Sequence, residues 1–349
     1  MWHVLLLIVC AALIYLSCEW FVNAVEWLGH RLNVGTLAVG TILAAFGTAL
    51  PESVVTFVAV VFGSGPASKD IGVGAAMGGP LVLATIAYGV TGAMLLARRR
   101  TRDRAGVAVP AGGVGPAPGP APEDQGLGDE RKLARDQTWF LVIFIVKVAL
   151  GLVAFAVKPW LGLAFFAAYG VYFWRELRRD GDRGDAGELA PLLLQRHRAR
   201  PSTWAVLVQT IVTLAVIFAA SQLFVRQLDA VGPMLGLPAA ATALLLSPIA
   251  TELPEIMNAV IWVRQGKTPL ALANVSGAMM IQATVPSGLG LLFTPWRFDA
   301  TLLTAGLVTM AAIGYLLLVA RAGRLNPRTL SMAALFYLAF AAALAGILS

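Results

Sequence analysis

Two short stretches of the chain each combine a threonine, a proline and a glutamate within long apolar segments. The first reads GTALPE at residues 47–52, and the second reads ATELPE at residues 250–255. A proline inside a helix donates no backbone hydrogen bond and displaces the carbonyl four residues before it. Each threonine precedes a glutamate by one helical turn, so the two side chains share a face. Carboxylate, hydroxyl and carbonyl oxygens are the ligands that a hard cation requires.

Glu52 and Glu255 are the strongest candidate cation ligands, because a carboxylate within a membrane span is costly and rare. The alternative for each is a protonated carboxyl group that forms hydrogen bonds to a neighbouring helix. Two such acids at matched positions after matched prolines favour the functional interpretation. Glu252 is a third acid, and Ala49 stands at its matched position. Its carboxyl group is a ligand, a proton carrier or a group that faces a vestibule, and the sequence leaves these three roles open.

The two stretches belong to an internal repeat with a constant offset of 203 residues. The offset relates Glu52 to Glu255 and holds without a gap back to Cys18 and Ser221. A repeat centred on an intramembrane acid is typical of secondary transporters.

Four uncharged side chains are further candidate ligands. Thr48 and Thr251 lie one turn before the glutamates, although a threonine in a membrane helix also forms hydrogen bonds to its own backbone. Asn274 and Gln282 are eight residues apart, about two helical turns, so they share one face. Each amide is either a cation ligand or an interhelical hydrogen-bond partner.

Glycines and one lysine stand out in the remaining apolar segments. Gly78 and Gly277 lie in glycine-rich segments that follow the two stretches, and we expect them to permit close helix packing. Lys147 also lies in an apolar segment. We expect its ammonium group to reach the membrane interface or to pair with an acid such as Glu19.

The composition indicates an all-α polytopic membrane protein. Of the 349 residues, 58% are hydrophobic and only 13% are charged, about half the charged share of a soluble domain. A transmembrane helix needs about 20 apolar residues, and about ten segments are candidates. These are residues 4–28, 35–62, 71–97, 138–157, 160–177, 203–225, 238–264, 268–292, 300–320 and 329–348.

Positive charge is distributed unevenly among the connections between these spans. Of the 26 Lys and Arg residues, 21 lie in or beside alternate connections, which include the polar segments 98–137 and 178–202. Because positive loops stay in the cytoplasm, we predict an integral protein of the cell membrane with both termini outside. The net charge of +7 therefore reflects topology, and we do not expect nucleic acid as a partner.

The ten transmembrane helices divide into two inverted five-helix repeats. The first repeat is residues 1–177, with a flexible cytoplasmic loop at residues 98–137. A basic linker at residues 178–202 leads to the second repeat at residues 203–349. An odd number of spans per repeat inverts the second repeat, so both Pro-Glu stretches approach one site at the midplane.

Other kinds of chemistry are not indicated. The three histidines are isolated, and Cys10 and Cys18 are the only cysteines. No nucleophile and base are paired by sequence motif, so we expect neither an enzyme nor a bound cofactor. The expected partners are the lipid bilayer and small inorganic cations, and the sequence leaves the oligomeric state open.

These residues resemble the cation/calcium exchanger superfamily, and in particular the sodium/calcium exchanger type. Members of that type carry two inverted repeats, each with a GTSxPE core followed by a helix of the pattern GNxxGSNxxN. The corresponding cores here are residues 47–52 and 250–255, and EWFV at residues 19–22 and LAVG at residues 37–40 also match. The resemblance implies the fold of the family and a cation site made by helices 2, 3, 7 and 8 of the ten.

The helices that follow the cores depart from the family pattern. Gly79 and Ala278 replace the ion-binding serine, and Leu83 stands where the family has a final Asn or Asp. Asn274 and Gln282 keep amides in the second repeat. We therefore expect exchange of fewer sodium ions per calcium ion than the complete family motif allows. We expect Gly79→Ser with Leu83→Asn to raise the sodium Hill slope of calcium uptake.

The function expected from these features is secondary active cation antiport. Exchange of Ca²⁺ for Na⁺ by alternating access is favoured, with Glu52 and Glu255 as shared ligands and with helices 1 and 6 sliding past the core. A calcium/proton or other cation/proton antiporter is the alternative, because buried carboxyl groups can carry protons. A channel or a non-transporting membrane scaffold is a third possibility, which the paired motifs disfavour.

Overall fold

The chain folds as a bundle of helices, and the computed structural model contains no strand in the part of the chain that it describes. The described residues are 2–32, 38–62, 66–106, 130–179, 189–198, 200–234, 245 and 247–348. The predicted all-α class is confirmed for these residues. In chain order, the α-helices are α1 (Trp2–Arg31), α2 (Ala45–Phe57), α3 (Pro66–Val82), α4 (Tyr88–Gly106), α5 (Glu130–Leu152), α6 (Leu161–Arg179), α7 (Thr203–Met234), α8 (Ser247–Thr251), α9 (Leu253–Arg264), α10 (Thr268–Phe293), α11 (Ala300–Arg321), α12 (Pro327–Ser331) and α13 (Ala334–Leu348).

Three π-helical turns lengthen the helices of the first half. They are Val39–Ala44 before α2, Val58–Phe62 after it, and Leu83–Ala87, which joins α3 to α4. A π-helical turn inserts an extra residue into the helical ladder and often lies at a functional site. The first and third turns lie close to the first Pro-Glu stretch and to the glycine-rich segment that follows it.

Six helical segments in the described residues are long and apolar enough to cross a membrane. They are Trp2–Arg31, Gly72–Thr101, Thr203–Phe224, Thr268–Phe293, Ala300–Arg321 and Pro327–Ile347. Every predicted span overlaps a described helix, but the number of crossings and their inverted arrangement remain predictions.

The predicted loop at residues 98–137 is shorter than the sequence suggests. Helix α4 continues to Gly106, and α5 already begins at Glu130. The arginines and other good helix formers at the two ends of the loop extend the helices beyond the apolar segments. Residues 107–129, on which the rest of the expected flexible loop falls, lie outside the described residues.

Helix α10 lies at the centre of the bundle and packs against α2, α3, α6 and α9. In its most apolar window, 83% of the residues are buried, compared with 28% in α1. Helix α1 packs mainly along α7, at the edge of the bundle. The second glycine-rich segment therefore forms the core, whereas the first helix of each proposed repeat lies outside it.

Glycines allow the backbones around this centre to approach closely. A Cβ atom at Gly277 of α10 would lie 2.1 Å from the carbonyl oxygen of Thr41. A Cβ atom at Gly78 of α3 would lie 2.8 Å from Cγ of Pro248 in α8. Both contacts confirm the expected packing role of these two glycines, since any larger side chain would separate the helices that carry the candidate ligands.

Candidate functional site

The first Pro-Glu stretch lies within α2, which continues through Pro51 and Glu52. The Thr48 side chain is buried, and its hydroxyl donates to the carbonyl of Ala44 at 3.1 Å. A hydroxyl that donates its hydrogen to the backbone still presents oxygen lone pairs to another group. The backbone bond and the proposed ligand role of Thr48 are therefore compatible. The Glu52 side chain lies outside the described part of the structure.

The second stretch breaks its helix, which the sequence did not predict. Helix α8 ends at Thr251, α9 begins at Leu253, and Glu252 between them has φ −85° and ψ 3°. Pro254 then lies in the first turn of α9, where the missing N–H costs no helical hydrogen bond. The Thr251 hydroxyl donates to the carbonyl of Pro248 at 3.1 Å. The N–H of Glu252 still donates to the carbonyl of Pro248, and its carbonyl accepts from the N–H of Ile256, each at 3.1 Å, so the interruption is confined to one residue.

Glu252 and Gln282 form the most direct contact between candidate ligands. Both side chains are buried, and Nε2 of Gln282 lies 2.7 and 2.8 Å from the two carboxylate oxygens of Glu252. A Cβ atom at Gly79 would lie 2.4 Å from Oε1 of Gln282 and 2.7 Å from Oε1 of Glu252. The missing side chain at Gly79 thus leaves the space that this pair occupies.

Glu255 lies in the first turn of α9, and its side chain is fully buried. Its backbone carbonyl accepts a hydrogen bond from Nδ2 of Asn274 at 3.3 Å. The Oδ1 atom of Asn274 has no hydrogen-bond partner among the described residues. Because buried polar atoms are normally satisfied, this oxygen is available to a cation or a water molecule.

Asn258 is a candidate that the sequence analysis missed. It lies one turn after Glu255, is fully buried, and neither atom of its amide group has a hydrogen-bond partner among the described residues. The sequence did contain a signal, because an amide three residues after Glu255 lies on the same helix face. We missed it because its matched position in the first repeat is Val55.

The described contacts therefore bring the predicted residues together in two pairs. Glu252 contacts Gln282, and Glu255 contacts Asn274, so α10 is joined to the start of α9 and to the break before it. The hydroxyls of Thr48 and Thr251 form hydrogen bonds within their own helical segments. The arrangement concentrates buried carboxylate and amide oxygens at the centre of the bundle.

A comparison with protein families shows the family to which the chain belongs. The family model described as sodium/calcium exchanger protein matches residues 2–177 and 205–346, which together are most of the chain. The chain belongs to the sodium/calcium exchanger family. The membership confirms the resemblance that the two Pro-Glu stretches suggested, and it makes the protein a transporter by family.

Solved structures of the sodium/calcium exchanger NCX_Mj share the fold of this family member. The exchanger NCX_Mj, soaked with Na⁺ and Ca²⁺, matches with a TM-score of 0.71 and covers 99% of both chains at 17% identity. The same exchanger soaked without either ion has a TM-score of 0.69 and covers 98% of both chains. At this identity, the likeness shows the fold alone.

One relative is similar in sequence over a shorter range. CaxA of Alkalimonas amylolytica, which is named as an antiporter, is 31% identical over 143 residues. The match covers 39% of this family member and 44% of CaxA. The chain thus matches less than half the length of that relative.

Lys147 of this exchanger-family protein corrects the expectation from its sequence. Its side chain is fully buried, and Nζ donates to the carbonyl of Ala76 at 2.8 Å and to the hydroxyl of Ser287 at 3.1 Å. The ammonium group neither reaches the interface nor pairs with Glu19, because acceptors on α3 and α10 hold it inside the bundle.

Proposed function

We propose that this protein is a secondary active antiporter that exchanges Ca²⁺ for Na⁺ by alternating access. Glu52 and Glu255 are the midplane ligands for which the two cations compete. The remaining proposed ligands are Thr48, Thr251, Glu252, Asn274 and Gln282, to which we add Asn258. The observation that supports this proposal best is the burial of Glu252 and Glu255 in a member of the exchanger family, where Gln282 of the central helix contacts the Glu252 carboxylate and Asn274 contacts the Glu255 backbone carbonyl.

The proposed architecture has ten transmembrane helices in two inverted five-helix repeats. The first repeat is residues 1–177, the linker is residues 178–202, and the second repeat is residues 203–349. Both termini lie on the outer side of the cell membrane. The uneven distribution of Lys and Arg among the connections supports this topology, as does the offset of 203 residues between Glu52 and Glu255.

Antiport follows from the charge of the site. A site with two or more carboxylates cannot change its exposure from one side of the membrane to the other without a bound cation, because an uncompensated buried charge is costly. One set of carboxylates also cannot serve Ca²⁺ and Na⁺ at the same time. Helices α1 and α7 move past the core in this mechanism. Their packing along each other supports this role, and so does the weak contact of 3.8 Å from Sγ of Cys18 to the carbonyl of Pro254.

Calcium/proton exchange is the second candidate function. Gly79, Leu83 and Ala278 provide no side-chain oxygen for sodium. The space beside Gly79 holds the Glu252–Gln282 pair, and a carboxyl group can exchange a proton where a serine hydroxyl would bind sodium. These observations favour proton coupling over a full set of sodium sites.

Uptake of calcium-45 into proteoliposomes separates the candidate functions. We expect an outward sodium gradient to drive calcium accumulation and a pH gradient alone to leave it at the background rate. Uptake that follows the pH gradient and ignores sodium would replace sodium coupling with proton coupling. Uptake that needs no counter-ion and does not saturate would indicate a channel.

A further inference from the structure

Lys147 places a positive charge in the interior of one of the proposed membrane spans. Besides the Ala76 carbonyl and the Ser287 hydroxyl, its Nζ lies 4.4 Å from the centre of the Phe144 ring. Among the described residues, no carboxylate lies within ion-pair distance of it. A carbonyl, a hydroxyl and an aromatic face each attract a cation, so these three groups offset part of the cost of burying the charged ammonium form.

The carbonyl that holds the ammonium is released by a proline. Pro80 lies within α3, four residues after Ala76, and it has no N–H to donate to the Ala76 carbonyl. Lys147 supplies the missing donor from α5. The same kind of displaced carbonyl can replace the hydration shell of a small monovalent cation. The Lys147 ammonium therefore occupies a set of oxygen acceptors that would otherwise suit a free ion.

This group lies near the candidate cation site. Ala76 precedes Gly79 by three residues, or about 4.5 Å along the helix axis, and Ser287 follows Gln282 by five residues, or about 7.5 Å. Gly79 in turn borders the Glu252–Gln282 pair. A charge at this separation acts on a divalent cation through the low-dielectric interior of the bundle.

We propose that the Lys147 ammonium is a resident monovalent cation that takes the place of one coupling ion and weakens calcium binding by its charge. The inference rests on the proposed cation antiport. It accounts for the loss of sodium ligands at Gly79 and Leu83, because a tethered cation nearby removes the need for one transported cation. A protein with this device moves fewer coupling ions per calcium ion.

Equilibrium binding of calcium-45 to the purified protein tests the effect of the charge without any gradient. Lys147→Met keeps an unbranched side chain that is one atom shorter and removes its charge, and we expect the Kd for Ca²⁺ to fall by about tenfold or more. Lys158→Met is the matched control. Lys158 is also buried and donates to the carbonyls of Val153 and Trp296, at 2.7 and 2.8 Å, but it lies in the turn between α5 and α6. We expect the control to leave the Kd within about twofold.

Competition by sodium in the same assay tests the replacement of a coupling ion. Lys147→Ala opens the space beside the Ala76 carbonyl and the Ser287 hydroxyl, so a free sodium ion can enter. We expect the Hill slope for displacement of calcium by sodium to rise by about one in Lys147→Ala and to stay unchanged in Lys147→Met, whose side chain fills most of the space.

Ser287→Asp provides a second variant that keeps the lysine if its removal prevents folding. The new carboxylate would pair with the ammonium and cancel its charge, so the Kd for Ca²⁺ should again fall by about tenfold. An unchanged Kd in Lys147→Met, or in Ser287→Asp where the lysine variants do not fold, would overturn the inference and leave the proposed function standing. A wild-type protein that binds no calcium would overturn both.

Discussion

The Nε2 atom of Gln282 contacts both carboxylate oxygens of Glu252, at 2.7 and 2.8 Å. This pair joins the central helix α10 to the break between α8 and α9, directly after Thr251. Its position depends on Gly79 of α3, because a Cβ atom there would lie within 2.7 Å of an oxygen of each side chain. Three helical segments thus meet at one buried carboxylate.

Substitution of Gly79 tests this packing. We expect Gly79→Ala to lower the rate of calcium uptake by about tenfold, because overpacking of about 1–3 kcal/mol must displace the Glu252–Gln282 pair. Gly74→Ala is the matched control in the same helix, since a Cβ atom at Gly74 meets nothing within 4 Å. Uptake by Gly79→Ala at the rate of Gly74→Ala would show that the pair does not contribute to transport.

The same contact revises an expectation from the sequence. By comparison with the family pattern, Gly79→Ser together with Leu83→Asn restores sodium ligands and raises the sodium dependence. For Gly79→Ser alone, the structure predicts a loss of transport. Even the Cβ atom of an alanine at this position would collide with Gln282, and a serine is larger. We expect Gly79→Ser to lose transport and to regain part of it when combined with Gln282→Ala.

The contacts of Glu26 hold α1 against the core. Its Oε1 accepts a hydrogen bond from Nε1 of Trp262 at 2.9 Å, and its Oε2 pairs with Lys267. In the proposed mechanism α1 moves past the core, so these contacts must break in each cycle. We expect Glu26→Gln to raise the maximal rate of calcium uptake severalfold and to lower the free energy of unfolding by about 1 kcal/mol or less, since Lys267 is partly exposed.

Initial uptake rates at saturating calcium and thermal unfolding of the purified protein check this prediction. Glu19→Gln is the control, because Glu19 lies in the same helix with an exposed side chain. A Glu26→Gln variant with a lower rate and unchanged stability would contradict a role of Glu26 in restraining α1.

The proposed topology predicts the side on which each connection lies. Reporter fusions after residues 30, 115, 190, 266 and 325 should report the cytoplasm. Fusions after residues 66, 230 and 297 should report the outside, because positive connections remain in the cytoplasm. A single well-expressed fusion on the wrong side would break the inverted repeat and the shared midplane site.

Much of the fold could be predicted from the sequence because long apolar segments and a repeated Pro-Glu stretch are local signals. The packing of Gly78 and Gly277 was also predictable, since glycine in a membrane helix has few other roles. The interruption at Glu252 was not predictable, because the same proline lies within a continuous helix in the first repeat. The second stretch also carries Pro248 and Glu252, where the first has Ala45 and Ala49, but this difference does not specify at which residue the helix ends.

Contacts between distant helices account for the rest of what the sequence did not predict. The Ala76 carbonyl is displaced by a proline in α3, but only the structure shows that Lys147 of α5 reaches it. Asn258 became a candidate only when its buried amide was found to lack a hydrogen-bond partner among the described residues. Neither observation is available from the sequence, because each depends on which residues from distant parts of the chain lie beside the side chain.

The carboxylates carry the central claim, and sodium-driven uptake of calcium-45 by wild-type, Glu52→Gln and Glu255→Gln proteoliposomes tests it most directly. Glutamine keeps the size of the side chain but removes the charge that offsets dehydration of a divalent cation. We therefore predict a loss of about 100-fold or more in each variant, whereas Glu19→Gln should retain the wild-type rate. Wild-type rate and calcium affinity in either Glu52→Gln or Glu255→Gln would contradict the account.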